Sequence, residues 1–330
     1  MLSRVADSLY WMIRYLERAE NIARFIEVSW QLALDESQEE PRQWRALIDV
    51  SGDNEAFLER YPDYAKQHVM SFLLFDEENT SSILSCLRAA RENARHVREI
   101  ISMELWEQIN DFYHLVEGKA RRRKWVYENP GVFCEAVRLK GMLLHGINTD
   151  TMVHAEGWHF CRLGRFLERA DKTSRILDVK YFTLLPHLCY IGTAYDDNQW
   201  AALLRATGAL NAYRQLRGRV YPSTVADFLI FDRTFPRSIR FCLLSAQASL
   251  HAISGTPVGG FSNRAERRMG HLCSHLAYAD IEGVFEKGLH EFIDHLQIEM
   301  NAIDRAVAES FFHYPVQDAA NGAFQTAANS

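Results

Sequence analysis

Arg14-Tyr15-Leu16-Glu17-Arg18-Ala19-Glu20-Asn21-Ile22-Ala23-Arg24-Phe25-Ile26-Glu27-Val28 is met again as Arg165-Phe166-Leu167-Glu168-Arg169-Ala170-Asp171-Lys172-Thr173-Ser174-Arg175-Ile176-Leu177-Asp178-Val179. Seven of the fifteen positions are identical, where unrelated segments of ordinary composition share about one. Both copies carry a Glu-Arg pair inside a helical pattern. Met12, Leu16, Ala19, Ala23 and Ile26 make one apolar stripe, with Leu163, Leu167, Ala170, Ser174 and Leu177 at the matching places. Arg14, Glu17, Glu20, Arg24 and Glu27 fall on the opposite, charged side.

Further blocks repeat in the same order. Gln43-Trp44 with Ala46-Leu47 returns as Gln199-Trp200 with Ala202-Leu203, and Phe72-Leu73-Leu74-Phe75-Asp76 as Phe228-Leu229-Ile230-Phe231-Asp232. Ser82-Ile83 with Cys86-Leu87 matches Ser238-Ile239 with Cys242-Leu243. The first block is offset by 151 residues and the later ones by 156, so one net insertion of five lies between Val179 and Gln199. The chain reads as a tandem duplication: a first repeat over 1–146, a second over 151–315, and a frayed tail over 316–330. One unit alone is short of core, so the two copies are expected to share a single core about a pseudo-two-fold axis.

No strand-like alternation is sustained anywhere, and Gly and Pro stand between helical stretches. The fold class is all-α, with about ten helices. Asn79-Thr80-Ser81-Ser82 and Thr234-Phe235-Pro236 read as helix starts. Asp35 to Pro41 reads as a polar loop, and the linker between halves as Gly146 to Asp150, after a helix ending near His145.

Composition narrows the function. The chain has 330 residues, 48% hydrophobic and 24% charged, with a net charge of −6, which argues against nucleic acid as a partner. The six cysteines are dispersed, without Cys-x-x-Cys, and suggest reduced thiols. The start of the chain enters an amphipathic helix with no signal-like apolar core, and no run reaches the ~18–20 apolar residues of a membrane span. A cytoplasmic protein without a membrane segment is expected.

Successive residues on a helix turn by ~100°, so Glu17 and Arg18 face different ways. Glu17 belongs to the charged stripe. Arg18 belongs to a row with Trp11, Tyr15, Ile22 and Phe25, and an arginine buried there needs an anion. Arg169 has Arg162 in the place of Trp11, so it is expected to be the wetter of the two. Two readings stay open. Arg18 bridges to a carboxylate of a neighbouring helix, Glu168 among them, as a structural pair. Alternatively Arg14, Glu17, Arg18, Arg24, Arg165, Glu168, Arg169 and Arg175 form a pocket for an anionic or zwitterionic ligand.

Other motifs carry less. His290 and His295 are five apart and miss the i, i+4 spacing of a zincin helix; His271 and His275 share a face but lack further ligands. No metal and no cofactor is expected. Lys119, Arg121, Arg122, Arg123 and Lys124 form the one basic run, a partner-docking candidate or a solvated helix end. No phosphate loop and no activated nucleophile is apparent.

The two Glu-Arg helices, Gln199-Trp200, Phe75-Asp76, Phe231-Asp232 and the stretch Ser85-Cys86-Leu87-Arg88-Ala89-Ala90-Arg91-Glu92-Asn93-Ala94-Arg95 resemble the bacterial Alpha-E family. The resemblance runs from Met1 to about Phe312. It implies a helical, tandemly arranged protein that works beside ATP-grasp-type ligases and transglutaminase-like proteins in peptide synthesis or modification. The second copy departs from the first: Arg88 aligns with Leu244, and Arg91-Glu92-Asn93 with Gln247-Ala248-Ser249. The reading is therefore a non-catalytic partner binding an ATP-grasp-type ligase or its peptide-like substrate. An enzyme acting through Glu17, Arg18, Glu168 and Arg169, or a pure scaffold, are the alternatives, and a homo-oligomer is possible.

Overall fold

The structure is a computed structural model, and it describes residues 1–35, 40–184 and 194–312. Among these residues it is all helical, with sixteen α-helices and no strand. The tail over 316–330, and residues 185–193 of the segment holding the five-residue insertion, lie outside the described residues.

Two helices dominate. α1 (Ser3–Asp35) runs 33 residues without a Gly or Pro, and α9 (Glu156–Leu184) runs 29. They lie side by side in the same direction. The Met1 amino group meets Glu156 at 2.8 Å, the Cys161 thiol points to the Leu9 carbonyl, and Glu17 meets Arg169. Gly164 permits the closest approach, since a Cβ there would stand 2.6 Å from the Tyr10 carbonyl oxygen and 3.1 Å from Arg14 Cγ. Gly164→Ala is therefore expected to destabilise by about 1–3 kcal/mol, the usual range for overpacking. A thermal melt equal to that of the parent protein would show that the two helices can part at no cost.

The remaining helices cover these two. α2 (Glu40–Ser51) crosses to α9, and α10 (Ala194–Ala206) crosses back to α1. On α1 lie α5 (Ile83–His96) and α8 (Pro130–Thr151); on α9 lie α13 (Ile239–Ser254) and α16 (Leu289–Val307). α6 (Met103–Ala120) packs on α5 and α8, and α14 (Arg264–Tyr278) on α13 and α16. Shorter helices α3 (Asn54–Leu58), α4 (Lys66–Leu74), α7 (Arg123–Glu128), α11 (Leu210–Arg217), α12 (Pro222–Phe231) and α15 (Ile281–Lys287) fill the ends. They account for the excess over the ten helices expected, because runs of five to ten residues leave little periodic signal.

The helix starts are set by side-chain caps. Ser82 accepts from the Ser85 amide at α5, and Ser238 accepts from the Phe241 amide at α13. Pro236 thus lies ahead of α13 rather than in its first turn. The segment 146–150, expected as the linker between halves, is helical. It forms the last turns of α8, where Thr149 and Thr151 hydroxyls donate to carbonyls one turn back and Asn148 is buried.

The apolar residues do not merge into the one shared core expected from sequence. They fall into two clusters, one drawn almost wholly from residues 6–161 and the other from Tyr10 and 163–307. Phe25, Ile253, Phe311 and Phe312 touch both. The reason is the composition of the α1–α9 contact. It is occupied by charge, so the apolar residues collect on its two sides.

Candidate functional site

The charged stripe of α1 does not face water. Arg14, Glu17, Glu20 and Arg24 are all buried, because α9 and α8 close over that side, with Arg237 reaching in from just ahead of α13, as the apolar stripe meets α5. Across the α1–α9 contact the two Glu-Arg pairs exchange partners. Arg18 donates to Glu168 through Nε at 2.7 Å and Nη2 at 3.0 Å. Arg169 donates to Glu17 through Nε at 2.8 Å and Nη2 at 2.7 Å. Both are two-pronged guanidinium–carboxylate bonds, the strongest neutralising geometry available to these side chains. The adjacent Glu and Arg of each helix point apart, and each reaches a partner on the other helix.

The environments of the two pairs differ. Glu17 also accepts from Asn21 at 3.0 Å and from Arg237 Nη1 at 3.2 Å, and His145 Nε2 stands 2.8 Å from its second oxygen. Glu20 accepts from Arg24 at 2.8 and 2.9 Å and from Arg237. Burial opposes the charge of Glu17, but Arg169, then Arg237 and His145, overcome it and hold the carboxyl well below the usual range. Glu20 is likewise held low against burial, mainly by Arg237. Cation is in excess: burial, then Arg169, pushes Arg165 and Arg237 down to about 10. This cluster is closed, and the side chains of Glu17 and Glu20 have no exposed surface.

Glu168 has a different shell. It accepts from Arg18 and from Arg14 Nε at 2.9 Å, and Lys172 Nζ lies 3.6 Å away. Lys172 also pairs with Asp171 at 3.0 Å, as does Arg175 at 3.0 Å, and Arg14 reaches Asp304. Burial again opposes ionisation of Glu168, and Arg18, Lys172 and Arg14 reverse it. Beside this cluster a cleft of about 190 Å³ opens, bounded by Arg14, Arg18, Lys172, Arg175, Ser81 and Asn301, with Ser51, Asp171 and Asp304 also on its wall. Charged side chains, hydroxyls and an amide thus face solvent together.

The structure accordingly divides the eight residues of the pocket read from sequence. Arg14, Arg18 and Arg175 border the cleft, and Glu168 stands behind the two α1 arginines with no exposed side-chain surface. Glu17, Arg24 and Arg169 belong to the closed cluster, with Arg165 at its partly exposed edge, 3.8 Å from Glu17. The order of wetness is also reversed. Arg169 is the drier arginine, with 5% of its side chain exposed against 16% for Arg18. Arg162 does not crowd it, because its guanidinium turns to the Ser245 carbonyl at 2.6 Å and the Ser249 hydroxyl at 2.9 Å.

The sequence gives no sign of the roles of His145, Arg237 and Asp304, which lie outside the repeated blocks, or of Asn21, which lies inside the first block one turn from Glu17 but has Lys172 as its counterpart. Nor does it show that Glu17, Glu20 and His145 bring three ligand-type atoms within 4.8 Å of one another. A metal ion there would meet Arg24, Arg169 and Arg237 already bound to both carboxylates, an unfavourable donor set for a cation. The basic run stands apart, at the junction of α6 and α7. Arg121, Arg122, Arg123 and Lys124 are exposed, and Lys119 lies over the Trp125 ring at 3.8 Å. The five cysteines among the described residues are buried and free.

An all-α protein built on two parallel helices that exchange buried Glu-Arg pairs is the class this geometry defines. The chain belongs to the Alpha-E family, described as a predicted alpha-helical domain with a conserved ER motif, whose model matches residues 1–312. It is similar to uncharacterised proteins of Mycobacterium bovis and Mycobacterium tuberculosis, at 26% identity over 326 residues. The match takes in 93% of this chain but 36% of those proteins, so the chain spans about a third of the length of the curated relatives it matches. No solved structure matches it significantly. Among the described residues, no helix is long and apolar enough to cross a membrane.

Proposed function

We propose that the chain is a non-catalytic binding component of a system that makes or modifies amide bonds, and that the cleft beside Glu168 receives the charged ends of a peptide-like substrate. The observation that carries this reading is the unequal outfitting of the two Glu-Arg pairs. One is filled by Arg237 and His145, and the other opens on the cleft. The reading includes a tandem duplication of 1–146 and 151–315 about a pseudo-two-fold axis, which the reciprocal exchange of partners supports. On the 156-residue offset, Ser81 corresponds to Arg237 and Asn301 to His145. Small side chains in one copy thus stand where large ones fill the other. On the 151-residue offset Lys172 corresponds to Asn21 and supplies positive charge without closing the cleft.

Binding is favoured over catalysis because the acids are already committed. Glu17, Glu20, Glu168 and Asp171 are held ionised by guanidinium and ammonium groups, and a general base needs a pKa near the working pH. Burial pushes the thiols of Cys86, Cys161, Cys242 and Cys273 up to about 12, far from nucleophilic. The driving chemistry then comes from an ATP-grasp-type ligase, with a transglutaminase-like protein as a further associate, in the cytoplasm. Relatives that carry a matching region within a much longer chain are compatible with such a partner.

Calorimetric titration with alanine, glutamate and the dipeptide Ala-Glu tests the cleft. Binding is expected, and Ser81→Arg, which copies Arg237 into the open site, should abolish it without lowering the melting temperature. No binding, or binding untouched by Ser81→Arg, overturns the proposal. Turnover of a peptide by the isolated chain would instead favour an enzyme. Docking is tested separately: changing Arg121, Arg122 and Arg123 to Gln should weaken co-purification with the ligase roughly tenfold, and moderate salt should act alike.

A further inference from the structure

A second charged region lies on the far side of the second half, between α14 and α16. Arg264, Arg267, Arg268, His271 and His275 recur along one side of α14 at helical spacing, a row of roughly 16 Å. His295 and Glu299, one turn apart on α16, form the facing wall, and the two walls enclose a cleft of about 510 Å³. The histidines that sequence spacing marked as a weak metal pair are thus part of a larger basic surface.

Its charges are only partly answered. Arg268 reaches Glu299 at 3.4 Å, and Arg264 reaches Glu309 at 3.1 Å on the rim. Arg267 has no carboxylate partner among the described residues, and its guanidinium lies 5.8 Å from the Phe261 ring. The His275 and His295 rings are 5.5 Å apart, and burial, then His295 and Lys287, pushes the His275 pKa down. A metal does not fit. Among the described residues, the only three ligand-type groups that converge are Glu17, Glu20 and His145, and three guanidiniums would repel a cation here.

We propose that this cleft binds a small molecule carrying two or more phosphoryl groups. The volume is that of a small-molecule site, within the usual ~300–1,000 Å³. Three guanidiniums and three imidazoles face one carboxylate, Glu299, on the walls, with Glu309 at the rim, and this excess of cationic and donor groups favours a polyanionic ligand. Planar guanidiniums engage phosphoryl oxygens two at a time, and the neighbouring imidazoles add donors along the same row. The site is independent of the cleft beside Glu168, on the other face of α16.

Calorimetric titration of the full chain with sodium tripolyphosphate, inorganic monophosphate, citrate and a glutamate tetrapeptide tests this. Tripolyphosphate is expected to bind roughly tenfold more tightly than each of the others. Arg267→Glu should weaken it by about the same factor without changing the melting temperature, since this exposed guanidinium has no fold-holding ion pair among the described residues. Arg121→Glu, in the separate basic run, should leave it unchanged. Absence of binding, equal weakening by Arg121→Glu, or an undiminished affinity in Arg267→Glu would overturn the proposal. Preference for citrate would overturn it in favour of a polycarboxylate, and preference for the tetrapeptide in favour of an acidic protein segment.

Discussion

Glu17→Ala is expected to destabilise the protein more than any other single change in the α1–α9 contact, by about 5 kcal/mol, at the upper end for breaking a buried ion pair. The carboxylate accepts two bonds from Arg169 and one each from Arg237 and Asn21, and none of its surface is exposed. Its loss leaves two guanidiniums short of an acceptor inside the protein. Arg169→Ala should cost about 3–4 kcal/mol, and Arg18→Ala about 2–3, because Arg18 is wetter and Glu168 keeps Arg14 and Lys172. Removing Glu17 and Arg169 together should recover only part of the loss, since Arg237 keeps Glu20 and Asn21 but is without its bond to Glu17. Urea unfolding of the four variants measures the series. An Arg18→Ala loss equal to or larger than that of Arg169→Ala would contradict the burial order described above.

The second large effect is acid unfolding. Glu17, Glu20, Glu168 and Asp171 all ionise more readily in the folded chain than in the unfolded one, because guanidinium and ammonium neighbours outweigh burial. For carboxyls depressed in this way, the stabilisation is complete above their unfolded pKa values of about 3.9–4.3. It is lost as pH falls toward the folded values. Stability should therefore be nearly level from about pH 8 to pH 5 and then drop by on the order of 5 kcal/mol by about pH 2. Glu168→Gln, already without one of the four, should be less stable at neutral pH and show a shallower acid limb. A urea midpoint that stays level down to about pH 3 would show that these carboxyls are not specially stabilised in the charged form.

Much of the arrangement is legible in the sequence, within definite physical bounds. Helical periodicity and the two offsets mark α1 and α9, and the need of a half-buried Arg18 for an anion points to Glu168, where the structure pairs it. Periodicity also separates an apolar from a charged side of α1. It does not say what lies against the charged side, and here α8, α9 and Arg237 do. Arg237 and His145 were invisible for a related reason. Their roles arise from positions distant in the chain, and at the matching offset stand Ser81 and Asn301, so no repetition announces them. The short helices α3, α7 and α15 lack enough turns to carry a periodic signal.

The pairing of Glu17 with Arg237 spans 220 residues of chain. On a ribosome adding about 5–20 residues each second, Arg237 is made roughly 10–40 s after Glu17. Through that interval the first half exists as a nascent polypeptide whose central helix still lacks Arg237, one of the cations that neutralise Glu17 and Glu20. Water must stay on that side of the helix until α9 and the start of α13 arrive. The N-terminal half therefore cannot complete its folding ahead of the C-terminal half, and the contact between α1 and α9 is completed only once Arg237 has been made.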